Sequence, residues 1–161
     1  MRKLQAGGGT LQCMEMDLGS LASVDKFVTA FLATGLKLKY LVNNAGIMAL
    51  PTYQTTEEGV EKQWGVNHLG HFRLTTGLMD KLKDFGEGAR VINLSSLAHL
   101  WWTEQTAPKP LTKDTYNDEA AYGTSKAANV LFTLGLRKRL EGSGVLTTSG
   151  HPGCINTELG L

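Results

Sequence analysis

Two short apolar runs constrain this chain most: Tyr40-Leu41-Val42 closing on Asn43, and Val91-Ile92-Asn93-Leu94 closing on Ser95 and Ser96. Each has strand length, and the apolar residues follow one another instead of alternating with polar ones. That pattern marks a strand covered on both faces, as in a parallel sheet. Parallel neighbours need a crossover of a dozen residues or more, usually a helix, and the sequence between the runs has helical period.

The pass along the chain extends this alternation. Residues 11–18 read as a short strand ending in Asp17-Leu18. Ser20 is an N-cap for a helix to about Ala33, with Leu21, Val24, Phe27, Val28 and Phe31 on one stripe, stopped by Gly35. The first clear strand covers 39–43. Thr55 and Glu58 have capping-box spacing, which predicts one long helix from there to about Phe85, ended by Gly86 and Gly88. The next strand covers 90–95. An irregular stretch over 99–119, with Trp101, Trp102, Pro108 and Pro110, has the length of a lid or binding loop. A helix over 119–140 follows, broken by Gly142 and Gly144, and then a short strand over 145–149. The order β-α-β-α-β-α-β argues for an α/β domain with a parallel sheet.

Composition narrows the class of function. The 161 residues suffice for a single domain with a core. A hydrophobic share of 42% against 19% charged sets the chain apart from disordered sequences. A net charge of +1 argues against nucleic acid or an anionic membrane as partner. Cys13 and Cys154 form no CxxC pair and are expected as free thiols. No run reaches the ~18 apolar residues of a membrane span, and Met1 to Gly9 lack the apolar core of a signal peptide. A cytoplasmic location is therefore expected.

Tyr122 and Lys126 lie four apart on a predicted helix and share a face. A free phenol ionises near pH 10, too high for proton transfer at neutrality, and a cation within ~4–6 Å lowers that value. Such a pair can act as general acid or base on an alcohol or carbonyl, although an isolated pair also fits a solvated helix face. Ser95 and Ser96 close a parallel strand, where open α/β sheets bind ligands and a hydroxyl can polarise a substrate oxygen; turn or cap serines fit there too. Asn67 shares a stripe with Val60, Trp64 and Leu74, so its amide points inward and must be satisfied by backbone or water. Asn43-Asn44-Ala45-Gly46 ends a strand with residues small enough for a flat ligand to reach the backbone, or simply turns the chain; His151-Pro152-Gly153 closes the last strand in the same way. His68 and His71 are three apart on a helix, but no carboxylate or thiol pattern joins them, so no metal is expected.

Taken in order, Asn43-Asn44-Ala45-Gly46, Asn67-His-Leu-Gly-His-Phe72, Val91 to Ser96, Tyr122-x-x-x-Lys126 and His151-Pro152-Gly153 resemble the short-chain dehydrogenase/reductase family. Asn67 to Phe72 and Ala127-Ala-Asn-Val-Leu-Phe132 lean toward its retinol-dehydrogenase-like branch. The resemblance implies NADP or NAD as cofactor and interconversion of an alcohol with a ketone or aldehyde; Trp101 and Trp102 in the long loop suggest a small apolar substrate, and packing fits them at least as well. It implies Tyr122 as proton donor or acceptor, and Lys126 as the group that binds the nicotinamide ribose and lowers the Tyr122 pKa. Ser96 would polarise the carbonyl, in preference to Ser95, and Asn67 would position a water in a proton relay behind Lys126. Asn44, Ala45 and Gly46 would line the cofactor, Asp17 and Leu18 would contact its adenine, and Pro152, Gly153, Ile155 and Thr157 would hold the carboxamide side. A homo-oligomer through the two long helices is a further expectation.

The family opens with a strand and a Thr-Gly-x-x-x-Gly-x-Gly turn that meets the pyrophosphate at a helix N-terminus. Gly7-Gly8-Gly9-Thr10 has other spacing and no apolar strand before it. The expected architecture is a partial Rossmann-like doubly wound parallel sheet lacking the first two strands and the last, in a single incomplete NAD(P)-binding domain over 1–161. Strands at Val42, Ile92 and Val145 should form one sheet, with the Val42 strand an exposed edge open to association. In the 3-2-1-4-5-6 order the 11–18 strand has no neighbour left, so the first ~35 residues should be weakly anchored or repacked. Two readings compete with an active oxidoreductase: a catalytically silent relative acting through protein contacts, and an incomplete product without a function of its own.

Overall fold

The computed structural model describes residues 9–102, 108–155 and 159. Three parallel strands, β1 (Tyr40–Asn43), β2 (Arg90–Leu94) and β3 (Leu146–Gly150), lie side by side in the order β1-β2-β3. Val42 stands opposite Ile92, and Ile92 opposite Thr148. The expected sheet is therefore present, and the fold class is α/β with a parallel sheet. Leu41 and Val91 point to one face, where they join Leu18, Val24, Val28, Leu74, Leu82, Leu136 and Val145 in the core. Tyr40, Val42 and Leu146 point to the other face and are each more than half exposed.

A polar ladder crosses the buried side of the sheet at Asn43 and Asn93, which are in register. Thr133 Oγ1 donates to the Asn129 carbonyl at 2.9 Å, so it accepts from Asn93 Nδ2 at 2.9 Å, and Asn93 Oδ1 accepts from Asn43 Nδ2 at 2.7 Å. One hydroxyl proton thus fixes the orientation of two buried amides. This ladder ties both strand ends beneath the cavity to helix α5 (Asp118–Arg139).

Three expectations are corrected. Residues 11–18 form no strand, because a strand exists only by pairing and the sheet offers this segment no neighbour. The segment after it is nonetheless firmly docked. Ser20 caps α1 (Leu21–Ala33) as the sequence indicates, and Val24 and Val28 are buried in the core. Arg73 adds a bidentate ion pair to Asp25 at 2.6 and 2.9 Å.

The capping box at Thr55 does not form either. Glu58 instead accepts from the Leu21 N–H at 2.6 Å, and Glu57 accepts from the Ser20 hydroxyl. Two carboxylates thus sit at the positive end of α1. The helix expected from Thr55 begins at α2 (Lys62–Trp64), capped by the buried Glu61 carboxylate, which accepts from Gln63 N and Trp64 N at 2.9 and 2.8 Å. It passes through a π turn (Gly65–Leu69) into α3 (Gly70–Gly77), and breaks at Leu78 before α4 (Met79–Phe85).

Gly70 is where α3 meets the entry to α1: a Cβ there would lie 2.5 Å from the Leu18 carbonyl oxygen. Alanine favours a helix by about 1 kcal/mol, but overpacking against fixed backbone costs about 1–3 kcal/mol. Gly70→Ala is expected to lower the melting temperature by about 5 °C. A rise, read by circular dichroism, would show that α1 is not held at this contact.

Candidate active site

The site forms where β1, β2 and β3 end. After Asn43 the chain turns through Asn44-Ala45-Gly46, and Gly46 is the closest approach: a Cβ there would lie 3.1 Å from Asn67 Oδ1 and 3.5 Å from Lys126 Nζ. Asn67 is fully buried on the π turn. Its amide pairs with the Ile47 backbone, accepting from Ile47 N at 2.8 Å and donating to Ile47 O at 2.9 Å, and it also donates to Ser125 Oγ at 3.0 Å. Of the two partners open from spacing, the structure shows backbone.

β2 delivers the two serines to different tasks. Ser95 Oγ donates to the Lys126 carbonyl at 2.9 Å and is buried, fastening β2 to α5. Ser96 caps the 3-10 turn Leu97–Trp101, accepting from Ala98 N at 3.2 Å, and its side chain acts on the Tyr122 phenol, easing that group's ionisation. Gly123 makes that approach possible, since a Cβ there would meet the Ala98 carbonyl oxygen at 2.7 Å.

Tyr122 and Lys126 lie on the buried face of α5, which starts at the Asn117 cap. The ammonium donates to the Leu94 carbonyl at 3.3 Å and lies over the Tyr122 ring, 5.4 Å from its centroid. Burial brings Lys126 down to about 8. Burial pushes the Tyr122 phenol up, and the Ser96 side chain pulls it back in part. The phenol is thus held above its ordinary value by burial, not lowered as the Tyr-Lys spacing predicts.

These groups border a cavity of about 780 Å³. Asn44, Ser96, Tyr122 and Lys126 give it a polar floor, Ala45, Gly46, Pro152 and Gly153 a thin wall, and Ile47, Met48, Leu50, Ile155 and Leu159 an apolar rim. Asp17 and Leu18 do not line it: Asp17 Oδ1 accepts from Gly19 N at 2.7 Å, and Leu18 is core. Trp101 and Trp102 do not line it either. Thr157, Gly7 and Gly8 lie outside the described residues. His68 and His71 turn to Asn129 Oδ1 and the Asn67 carbonyl respectively.

Sequence reasoning missed the residues that support the rim. Gln63 is fully buried; its Oε1 accepts from Ala49 N at 3.0 Å, and its Nε2 donates to the Asp118 carbonyl at 2.9 Å and to Tyr116 Oη at 3.2 Å. Tyr116 Oη in turn donates to the Leu50 carbonyl at 2.7 Å. Together they hold Ala49 at φ +52°, a strained value for a residue with a Cβ. The signal was available: Gln63 is one helical turn before Asn67, so the argument that turns Asn67 inward applies to it.

The family model described as short chain dehydrogenase matches residues 1–160. The chain belongs to the short-chain dehydrogenase family. Among curated members, human (Homo sapiens) retinol dehydrogenase 13 is 48% identical over 155 residues, covering 90% of this chain and 43% of its own length. The chloroplastic short-chain dehydrogenase TIC 32 A of Brassica napus is 42% identical over 157 residues, covering 92% and 49%. The chain thus spans about half the length of the curated relatives it matches. Among solved structures, a Mycobacterium paratuberculosis protein superposes with a TM-score of 0.68 at 37% identity, covering 94% of this chain and 53% of that one. The Pseudomonas aeruginosa RhlG/NADP active-site complex gives 0.68 at 28%, covering 89% and 53%. These relatives place the sheet in the Rossmann-like class and the sequence in the retinol-dehydrogenase-like part of the family. Among the described residues no helix is long and apolar enough to cross a membrane.

Proposed function

We propose that the site interconverts an alcohol with a ketone or aldehyde, using NADP or NAD. The observation that carries this reading is the convergence of Ser96, Tyr122 and Lys126 on the polar floor of a cavity with an apolar rim. The residues fit a nicotinamide nucleotide. Gly46 and Gly153 leave the wall thin enough for a flat ring, and among the described residues Lys126 Nζ makes one hydrogen bond, to the Leu94 carbonyl, leaving N–H groups for ribose hydroxyls. The reduced cofactor, when bound, supplies a hydride to the carbonyl carbon. Ser96 Oγ donates to the carbonyl oxygen as charge develops there. Tyr122 Oη gives that oxygen its proton, and Lys126 stabilises the tyrosinate left behind. Asn67 serves by fixing Ile47 and the loop before it. Ile47, Met48, Leu50 and Ile155 favour a small apolar substrate. Phe72, Leu131 and Leu134, exposed on α3 and α5, offer the surface for the expected homo-oligomer.

A titration with NADPH and NADH, read by nicotinamide fluorescence, tests the reading. Saturable binding with a dissociation constant below about 100 μM is expected, roughly 5 kcal/mol of binding free energy. No binding at millimolar cofactor would overturn it in favour of a silent relative acting through protein contacts.

A further inference from the structure

The two segments that lean toward the retinol-dehydrogenase-like pattern meet at one buried side chain, Asn129. Its Nδ2 donates to the Asn67 main-chain carbonyl at 3.0 Å and to the Leu94 carbonyl at 3.2 Å. The Leu94 carbonyl is also the one that Lys126 Nζ reaches, at 3.3 Å. Carbonyls carry no proton, so the amide has one workable orientation, with nitrogen toward both carbonyls and Oδ1 away from them. Oδ1 faces His68 Nδ1 at 3.0 Å, which must therefore hold the ring proton. The same reasoning puts the His71 proton on Nδ1, 3.1 Å from the Asn67 carbonyl. The His68 ring is kept in place by edge contacts with Trp64 and Phe132 at centroid distances of 5.0 and 5.8 Å.

We propose that Asn129 is a positioning residue for Lys126: it ties the Leu94 carbonyl, from which the ammonium hangs, to the Asn67 carbonyl of the π turn, and His68 locks its amide. Without it the Leu94 carbonyl loses its tie to the π turn, and the ammonium rests on one long hydrogen bond to a carbonyl that nothing else among the described residues aims. The titratable groups around the ammonium are Tyr122 on its own helix, His71 on α3 and His68 on the π turn; burial lowers both histidines, His71 to about 4, so they are neutral at pH 7 and leave the ammonium as the local charge. The inference rests on the role proposed for Lys126 but can be tested apart from it.

The experiment is reductive methylation of the chain without cofactor, read lysine by lysine by mass spectrometry. In Asn129→Leu, the Lys126 rate is expected to rise about tenfold relative to surface lysines, as one hydrogen bond's hold is lost. His68→Phe, which keeps an aromatic ring but no donor, is expected to give about threefold, and His68→Asn, which returns an N–H near Nδ1, to restore the original rate within about twofold. Thr75→Val is the structural control. It deletes an equally buried hydrogen bond to the Asn43 amide, which keeps its bond to Asn93 Oδ1, and touches neither Leu94 nor Asn129; the Lys126 rate should stay unchanged. Equal rises in Asn129→Leu and Thr75→Val would overturn the proposal, as would an unchanged rate in folded His68→Phe. Should Asn129→Leu fail to fold, the His68 pair decides alone. No cofactor enters the measurement, so a chain that binds no nicotinamide still answers it.

Discussion

Tyr122→Phe is expected to lower turnover by about 10³-fold while nicotinamide affinity stays within about twofold, since a positioned general acid contributes about 10²–10⁴. The substitution removes one oxygen and little else. The ring is buried on α5, and Lys126 lies over its face, a contact that phenylalanine preserves. Ser96 keeps its bond from Ala98 N, so the 3-10 turn that shapes the floor survives. The proposed cofactor contacts at Ala45, Gly46, Pro152 and Gly153 are made by other residues of the lining, which the substitution leaves in place. Single-turnover rates with a small apolar ketone, set beside a fluorescence titration of each variant, separate the two quantities. A turnover loss below tenfold would remove Tyr122 from the chemistry. A matching loss of affinity would make it a binding residue instead.

The contrast between what could and could not be read from sequence is clearest within one helical stretch. Asn67 was legible as inward-facing because it shares a stripe with Trp64 and Leu74, and the structure buries all three. The start of that helix was not legible. Thr55 and Glu58 satisfy a local spacing rule, but Glu58 finds a better donor at Leu21 N, far away in sequence, and Glu61 takes over the cap. The π turn left no trace in the periodicity, because one extra residue per turn shifts a stripe without erasing it. A similar limit governs residues 11–18: their extended pattern is real, yet pairing depends on a neighbour that no local signal supplies. The strands at Val42 and Ile92 stood out as continuous apolar runs, although the two-sided burial that such runs predict is not met: Leu41 and Val91 are buried, while Tyr40 and Val42 on the other face are more than half exposed. The chemistry of the site fell between these cases. Tyr122 and Lys126 announce themselves by spacing, whereas the direction of the phenol shift is set by burial against other elements, which spacing along one helix does not show.

Lys126→Met should stabilise the unliganded protein at pH 7 while abolishing its proposed activity. Lys126 is buried, and its ionisation falls from 10.5 in the unfolded chain to about 8 in the fold. Below pH 8 the lysine is charged in both states, and the fold carries the full cost of the buried ammonium. Between 8 and 10.5 the unfolded chain binds more protons than the folded one, so stability rises with pH until both forms are neutral. At 1.36 kcal/mol per pKa unit the shift amounts to about 3 kcal/mol. Methionine has nearly the same volume and no charge, but gives up the hydrogen bond to Leu94, worth about 1 kcal/mol. A net gain of about 2 kcal/mol at pH 7 is expected, falling as pH rises from 8 and ending above pH 10.5 as a loss of about 1 kcal/mol, the hydrogen bond alone. Urea unfolding of both proteins across that range measures it. A gain that ignores pH would mean that packing, not charge, was relieved, and a loss at pH 7 would mean that the ammonium is better paired than its single bond indicates. The expected pattern would identify Lys126 as a group kept at a cost in stability, and a cost of that kind is what a residue retained for binding or catalysis leaves behind in a fold.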